Sequence, residues 1–180
     1  MRGGLAFVCS NCFRTPFRYT ASVNVDGILE AFRRRQVMAI LIGGMNFLLR
    51  HQPVLTFDVD LWVKDTDENL IKTADALRDI SAQWGRDENS WGPVPSGFNW
   101  LRSQSVFCLT SPYGAIDIFL EVRGLEGQWA VCRDRCFEAA TAAGTYFASL
   151  SDRDMLACQM ALPEGERKLD RVRYLKQVTE

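Results

Sequence analysis

Apolar and polar positions follow two alternating periods along this chain, and the switches between them mark its elements. In DGILEAFRRRQ, residues 26–36, Ile28, Leu29 and Phe32 followed by Val37 fall on one helical stripe. Asp26 is placed to cap that helix, and Arg33, Arg34 and Arg35 face solvent. VMAILI, 37–42, is a continuous apolar run that predicts a buried strand, ended by Gly43 and Gly44. A short helix over 45–50 follows, then Pro53, then a second strand over 55–63, LTFDVDLWV. Asp65-Thr-Asp-Glu68 has the spacing of a capping box before a helix carrying Leu70, Ile71, Ala74, Leu77 and Ile80, which stops near Gly85.

Trp91 and Trp100 flank a loop, WGPVPSGF, too rich in Pro and Gly for regular structure and placed to cover a bound base. Strands over 105–110 and 115–122, joined by SPYG, predict an antiparallel hairpin. The remainder predicts a helix over 131–143, a strand over 145–148, a helix opened by Ser151 with Asp154 three residues on and ended by Pro163, and a last helix over 166–178. Residues 1–23 show neither period and form an N-terminal extension. The order defines an α/β (α+β) domain over 24–180, a mixed sheet flanked by helices with further helices at the C-terminal end.

Composition narrows the function. A chain of 180 residues suits one domain that needs no covalent or metal staple. A net charge of −1 carries no basic excess, so general affinity for nucleic acid is not expected. No apolar run is long enough to cross a bilayer, which predicts a cytoplasmic protein with no membrane partner. Cysteine spacing raises zinc as a question: Cys9 and Cys12 form CxxC, and Cys132 and Cys136 form CxxxC at helical spacing. Cys108 and Cys158 sit in apolar settings and read as small core residues.

The carboxylates raise a sharper question. Residues two apart on a strand share a face, about 6.5–7 Å apart. Thr56, Asp58 and Asp60 therefore lie together, opposite Phe57, Val59 and Leu61, which form the core face. Two like charges this close repel and raise each other's pKa unless water or a cation separates them. Asp117 stands among isoleucines in AIDIFLEV, although aspartate is a poor strand former. With the hairpin beside the 55–63 strand, Asp117 completes a set of three carboxylates. Such a set suits hard divalent cations, Mg²⁺ or Mn²⁺, in phosphoryl transfer. Gly43 and Gly44, between a strand and a helix N-terminus, suit close approach of a phosphate.

LIGGMNFLLRHQPVLTFDVDLWV resembles the signature of the nucleotidyltransferase superfamily, the DNA-polymerase-beta-like fold. Within it, the stretch is similar to the small bacterial stand-alone group that includes abortive-infection toxin nucleotidyltransferases. SPYGAIDIFLEV is similar to the strand with the third acidic residue, and SLSDRDMLACQMAL and ERKLDRVRYL resemble the last two helices. The resemblance implies an enzyme with an NTP as substrate. Asp58, Asp60 and Asp117 would bind the metals, with Asp117 also the general base. Gly43, Gly44, Thr56 and Lys168 would bind the nucleotide.

The chain departs from the pattern at Val54, where an arginine is expected and for which Arg50 is the candidate substitute. A lysine of the penultimate helix is replaced by Gln159, and an acidic residue after Lys168 by Leu169. The acceptor stays open between RNA, protein and a small molecule. Two alternatives remain: a toxin–antitoxin or phage-defence component with an antitoxin partner, and a nucleotide- or partner-binding module without strong catalysis.

Overall fold

The computed structural model describes residues 23–87 and 89–180. The extension through residue 22, with Cys9 and Cys12, lies outside the described residues. In chain order the elements are α1 (Val25–Arg34), β1 (Ala39–Leu41), α2 (Gly43–Arg50), β2 (Asp58–Val63), α3 (Asp67–Asp79), β3 (Gln83–Trp84) and β4 (Gly92–Pro93). After these come β5 (Val106–Ser111), β6 (Gly114–Phe119), α4 (Trp129–Asp134), β7 (Phe137–Ala140), β8 (Tyr146–Ser149), α5 (Asp152–Ala161) and α6 (Leu169–Thr179). The strands form one mixed sheet in the order β4-β3-β5-β6-β2-β1-β8-β7. β2 runs parallel to β6, and β1 parallel to β8; the other pairs are antiparallel. An α/β architecture is thereby established.

Strand alternation sorts the core into two parts. Val59 and Leu61 of β2 join Ile116 and Ile118 of β6 and Phe107 and Leu109 of β5 on one face. Ile28, Leu29 and Phe32 of α1 and Leu70, Ala74 and Leu77 of α3 pack over them. On the other face, Trp62 is buried with Ile40, Ile42, Met155 of α5 and Leu175 of α6. Asp58 and Asp60 share the parity of Trp62 on β2, so they stand on the sheet face toward which α5 and α6 pack.

Local signals hold in some places and yield to tertiary contacts in others. Ser151 caps α5 as expected, accepting from the Asp154 N–H at 3.2 Å and donating its hydroxyl to Asp154 at 2.7 Å. α1 is capped by Asn24, which accepts from the Gly27 N–H at 2.9 Å, and not by Asp26. Asp26 instead accepts from the Thr141 hydroxyl, which ties α1 to the β7–β8 hairpin. The capping box does not form: Thr66 precedes α3 with no side-chain capping bond. Asp65 and Asp67 pair with Arg102, and Glu68 pairs with Lys72 at 2.7 Å.

The expected 131–143 helix ends at Asp134, and residues 137–140 pair with β8 as an edge strand. Alanine-rich sequence favours helix locally, but the open side of β8 and the turn closed by the Thr141 N–H to Thr145 carbonyl bond at 3.0 Å override that preference. Phe57 lies outside the core as well. β2 begins one residue later, and Phe57 is 68% exposed.

Candidate active site

Parallel pairing of β2 with β6 sets Asp60 directly beside Asp117, with Asp58 opposite Ala115. One oxygen from each of Asp58, Asp60 and Asp117 lies within 4.8 Å of the others. The strands are held from behind by the isoleucines and valine of the first core, so the three carboxylates sit on a rigid surface and not on loops. The Thr56 hydroxyl donates to Asp58 Oδ1 at 2.9 Å and fixes that carboxylate from the chain leading into β2.

Crowding of like charge shows in the titration of the group. Burial raises the Asp60 pKa well above the usual carboxylate range, with the Asp58 and Asp117 charges adding to it. A bond from the Gly44 N–H and the charge of Arg171 oppose the rise. Burial, then the Asp58 charge, raises Asp117 to about 6, against a hydrogen bond with Cys108 directly across β5. Carboxylates gathered this closely are relieved by a cation between them. Their all-oxygen donor set fits Mg²⁺ or Mn²⁺ and is a poor match for softer ions.

The twin glycines make this arrangement fit. The Ile42 N–H donates to the Asp60 carbonyl at 3.0 Å, which brings the start of α2 against β2. Gly43 has φ +66°, and a Cβ there would lie 1.8 Å from Asp60 Oδ2. Gly44 faces another way: its Cβ would lie 2.6 Å from Thr56 Oγ1 and 3.1 Å from Arg171 Nη2. The N-terminus of α2, with its partial positive charge, thus meets the Asp60 carboxylate through the Gly44 amide.

The other residues singled out by sequence lie as follows. Lys168 is exposed at the N-cap of α6, and its backbone N–H donates to Gln159 Oε1 at 2.9 Å. Gln159 therefore ties α5 to α6. Val54 is half-buried against the second core. Arg50 is not a substitute for the arginine expected at position 54. Its guanidinium donates to the Leu150 carbonyl at 3.0 Å, pairs with Asp152 at 2.9 Å and lies over the Phe137 ring. His51 has a carboxylate partner that sequence did not reveal: its Nε2 is 2.8 Å from Asp152 Oδ1, with Phe47 and Tyr174 against its ring. Trp100 packs on Trp84 and Phe107 in the first core, so it does not cover the carboxylates.

Cys132 is buried in α4 and Cys136 lies just past its end; burial pushes the Cys136 and Cys158 thiols up to about 12. Thiols held protonated are poor zinc ligands. Among the described residues, only the aspartate triad brings three such donors together. Arg171 is the feature that sequence reading missed. It lies in the first turn of α6, three residues after Lys168, and no local pattern marks the side of the helix that turns toward the carboxylates.

No protein-family model matches the chain, and no curated protein does. Solved structures do. The chain is similar to the antibiotic-resistance factor ANT(2'')-Ia in solution, with a TM-score of 0.56 and 14% identity over 86% of this chain and 81% of that one. The crystal structure of ANT(2'')-Ia with adenylyl-2''-tobramycin gives a TM-score of 0.52 at 14% identity, over 86% of each chain. The lincomycin-bound lincosamide antibiotic adenylyltransferase LnuA gives 0.51 at 17% identity, over 88% of this chain and 99% of that one. At these identities the likeness is one of fold: the mixed sheet and flanking helices are those of the nucleotidyltransferase fold.

Proposed function

We propose that this chain is a divalent-metal-dependent nucleotidyltransferase that moves a nucleoside monophosphate from an NTP to a hydroxyl of a small-molecule acceptor. The observation that carries the reading is the Asp58–Asp60–Asp117 set, three oxygens within 4.8 Å on adjacent parallel strands beside a glycine-opened helix. Mg²⁺ or Mn²⁺ held by these carboxylates would neutralise triphosphate charge and orient it for in-line displacement.

The chain's own groups supply the rest. Asp117 accepts the proton of the acceptor hydroxyl as that oxygen bonds the α-phosphorus; the bond from phosphorus to the bridging oxygen breaks, and pyrophosphate leaves. Gly43 leaves room for Asp60 and Gly44 for Thr56 and Arg171 at the start of α2, Thr56 keeps Asp58 oriented, and Lys168 lies at the start of α6 as an exposed cation for the nucleotide.

Support for a small-molecule acceptor comes from the similar structures, one in complex with adenylyl-2''-tobramycin and one lincomycin-bound, and from a net charge unsuited to RNA. An RNA or protein acceptor, as in a toxin–antitoxin or abortive-infection component, uses the same chemistry and is the alternative. The experiment incubates the protein with each labelled NTP and Mg²⁺ against separate pools of hydroxyl-bearing small molecules, total RNA and protein. Label in the first pool alone supports the proposal. Label in RNA or protein supports the alternative, and equal labelling by wild type and an Asp58→Asn, Asp60→Asn variant removes the catalytic assignment.

A further inference from the structure

α6 turns Arg171 toward the carboxylates, and among the described residues no carboxylate forms an ion pair with it. The side chain is half-buried, with Nη2 beside the space above Gly44 and close to Thr56. Its Cζ lies 5.8 Å from the centroid of the Phe47 ring. Asp60 and Asp58 act on it electrostatically, yet it forms no ion pair with them, or with any carboxylate among the described residues. Arg35, Arg135 and Arg50, which are held by carboxylates, give the contrast. Arg35 and Arg135 each approach a carboxylate to 2.6 Å, and Arg50 to 2.9 Å.

A guanidinium carries five N–H donors in a planar fork that matches phosphate oxygens two at a time. Holding one half-buried with that fork unused costs free energy unless an anion meets it. Near it, on β2 and β6, stands a cluster of three acids that calls for a cation. A ligand that satisfies both sides is a polyanion carrying divalent cations.

We propose that Arg171 binds the triphosphate of the NTP through the phosphates that leave, supplying from the last helix the positive charge that Val54 does not supply from the strand entrance. The proposal rests on the nucleotidyltransferase reading and adds a residue to it. Phe47 backs the guanidinium from α2, which also carries the two glycines, so the cation is tied to the element whose N-terminus meets Asp60. Leaving phosphates develop charge in the transition state, so Arg171 acts on transfer as well as on binding.

The test measures affinity for a non-hydrolysable NTP and for the matching NMP, both with Mg²⁺, in wild type, Arg171→Ala and Arg171→Lys. Expected is a loss of about 10–100-fold in NTP affinity for Arg171→Ala, with the NMP changed by less than about 3-fold and partial recovery in Arg171→Lys. NTP affinity unchanged in both variants, or NTP and NMP weakened equally, overturns the proposal. If Arg171→Ala does not fold, the Arg171→Lys selectivity between NTP and NMP decides: a preserved ratio overturns it, a reduced one supports it. A wild type that binds NTP while Arg171→Ala binds it equally sinks only the Arg171 assignment. A wild type that binds no NTP sinks the nucleotidyltransferase reading itself.

Discussion

Gly43 and Asp60 share a space that only one side chain can fill: a Cβ on residue 43 would lie 1.8 Å from Asp60 Oδ2. The residue also has φ +66°, a region unfavourable for any side chain with a Cβ. Gly43→Ala is therefore expected to push Asp60 off its position beside Asp117 and lower NMP transfer at least about 100-fold, the scale of a 1 Å misplacement. The backbone cost is smaller, roughly 1–2 kcal/mol. Steady-state rates and a denaturant curve separate the two, and wild-type rates in Gly43→Ala would show that Asp60 has no fixed position to lose.

Asp60→Asn tests the crowding directly. Removing a carboxylate whose ionisation is disfavoured by burial, and then by the Asp58 and Asp117 charges, is expected to stabilise the metal-free protein while abolishing transfer. Melting curves without divalent cation should rise relative to wild type at pH 8, and added Mg²⁺ should stabilise wild type alone. A lower melting temperature for the variant would mean that the carboxylate is not under strain.

The pH dependence has a definite sign. Asp117 has its pKa raised by burial and by Asp58 to about 6, above the value near 3.9 of an unfolded aspartate. The folded state then holds that proton more tightly than the unfolded one. The associated stability is complete below about pH 4 and is lost as pH rises through 6, on the order of 3 kcal/mol, and Asp60 shifts in the same direction. Thermal melts of metal-free protein should fall between pH 4 and 7.5, and Mg²⁺ should flatten the fall. Rising stability over that window would contradict the raised values.

Asp152 links two elements that frame the site. It pairs with Arg50 at 2.9 Å and accepts His51 at 2.8 Å, joining the end of α2 to the start of α5, and the Arg50 side chain is only 15% exposed. Asp152→Ala leaves that guanidinium half-partnered, with an expected cost of about 1–3 kcal/mol after allowance for solvent. Urea midpoints measure it; a midpoint equal to wild type would show the link to be idle.

The aspartates were legible because strand alternation places Asp58 and Asp60 on one face whatever the fold around them. Asp117 was legible as an oddity among isoleucines, but its place beside Asp60 depends on parallel pairing of strands more than fifty residues apart, which no local pattern encodes. Leu55 and Phe57 were misassigned because alternation continues past the end of the hydrogen-bonded strand. β7 was hidden by alanines whose local preference is helical. Gly43 and Gly44 read as a place for close approach of a phosphate, and what comes close to Gly43 in the fold is the chain's own Asp60. Arg171 escaped because the face an end helix presents is decided by how it packs.

Whether the triad holds a cation for nucleotide chemistry is the central point, and Mn²⁺ titration followed by electron paramagnetic resonance, with a non-hydrolysable NTP present, addresses it most directly. Wild type should deplete the free Mn²⁺ signal saturably, and the Asp58→Asn, Asp60→Asn variant should leave the signal at the level set by nucleotide alone. Equal depletion by both proteins would contradict the account.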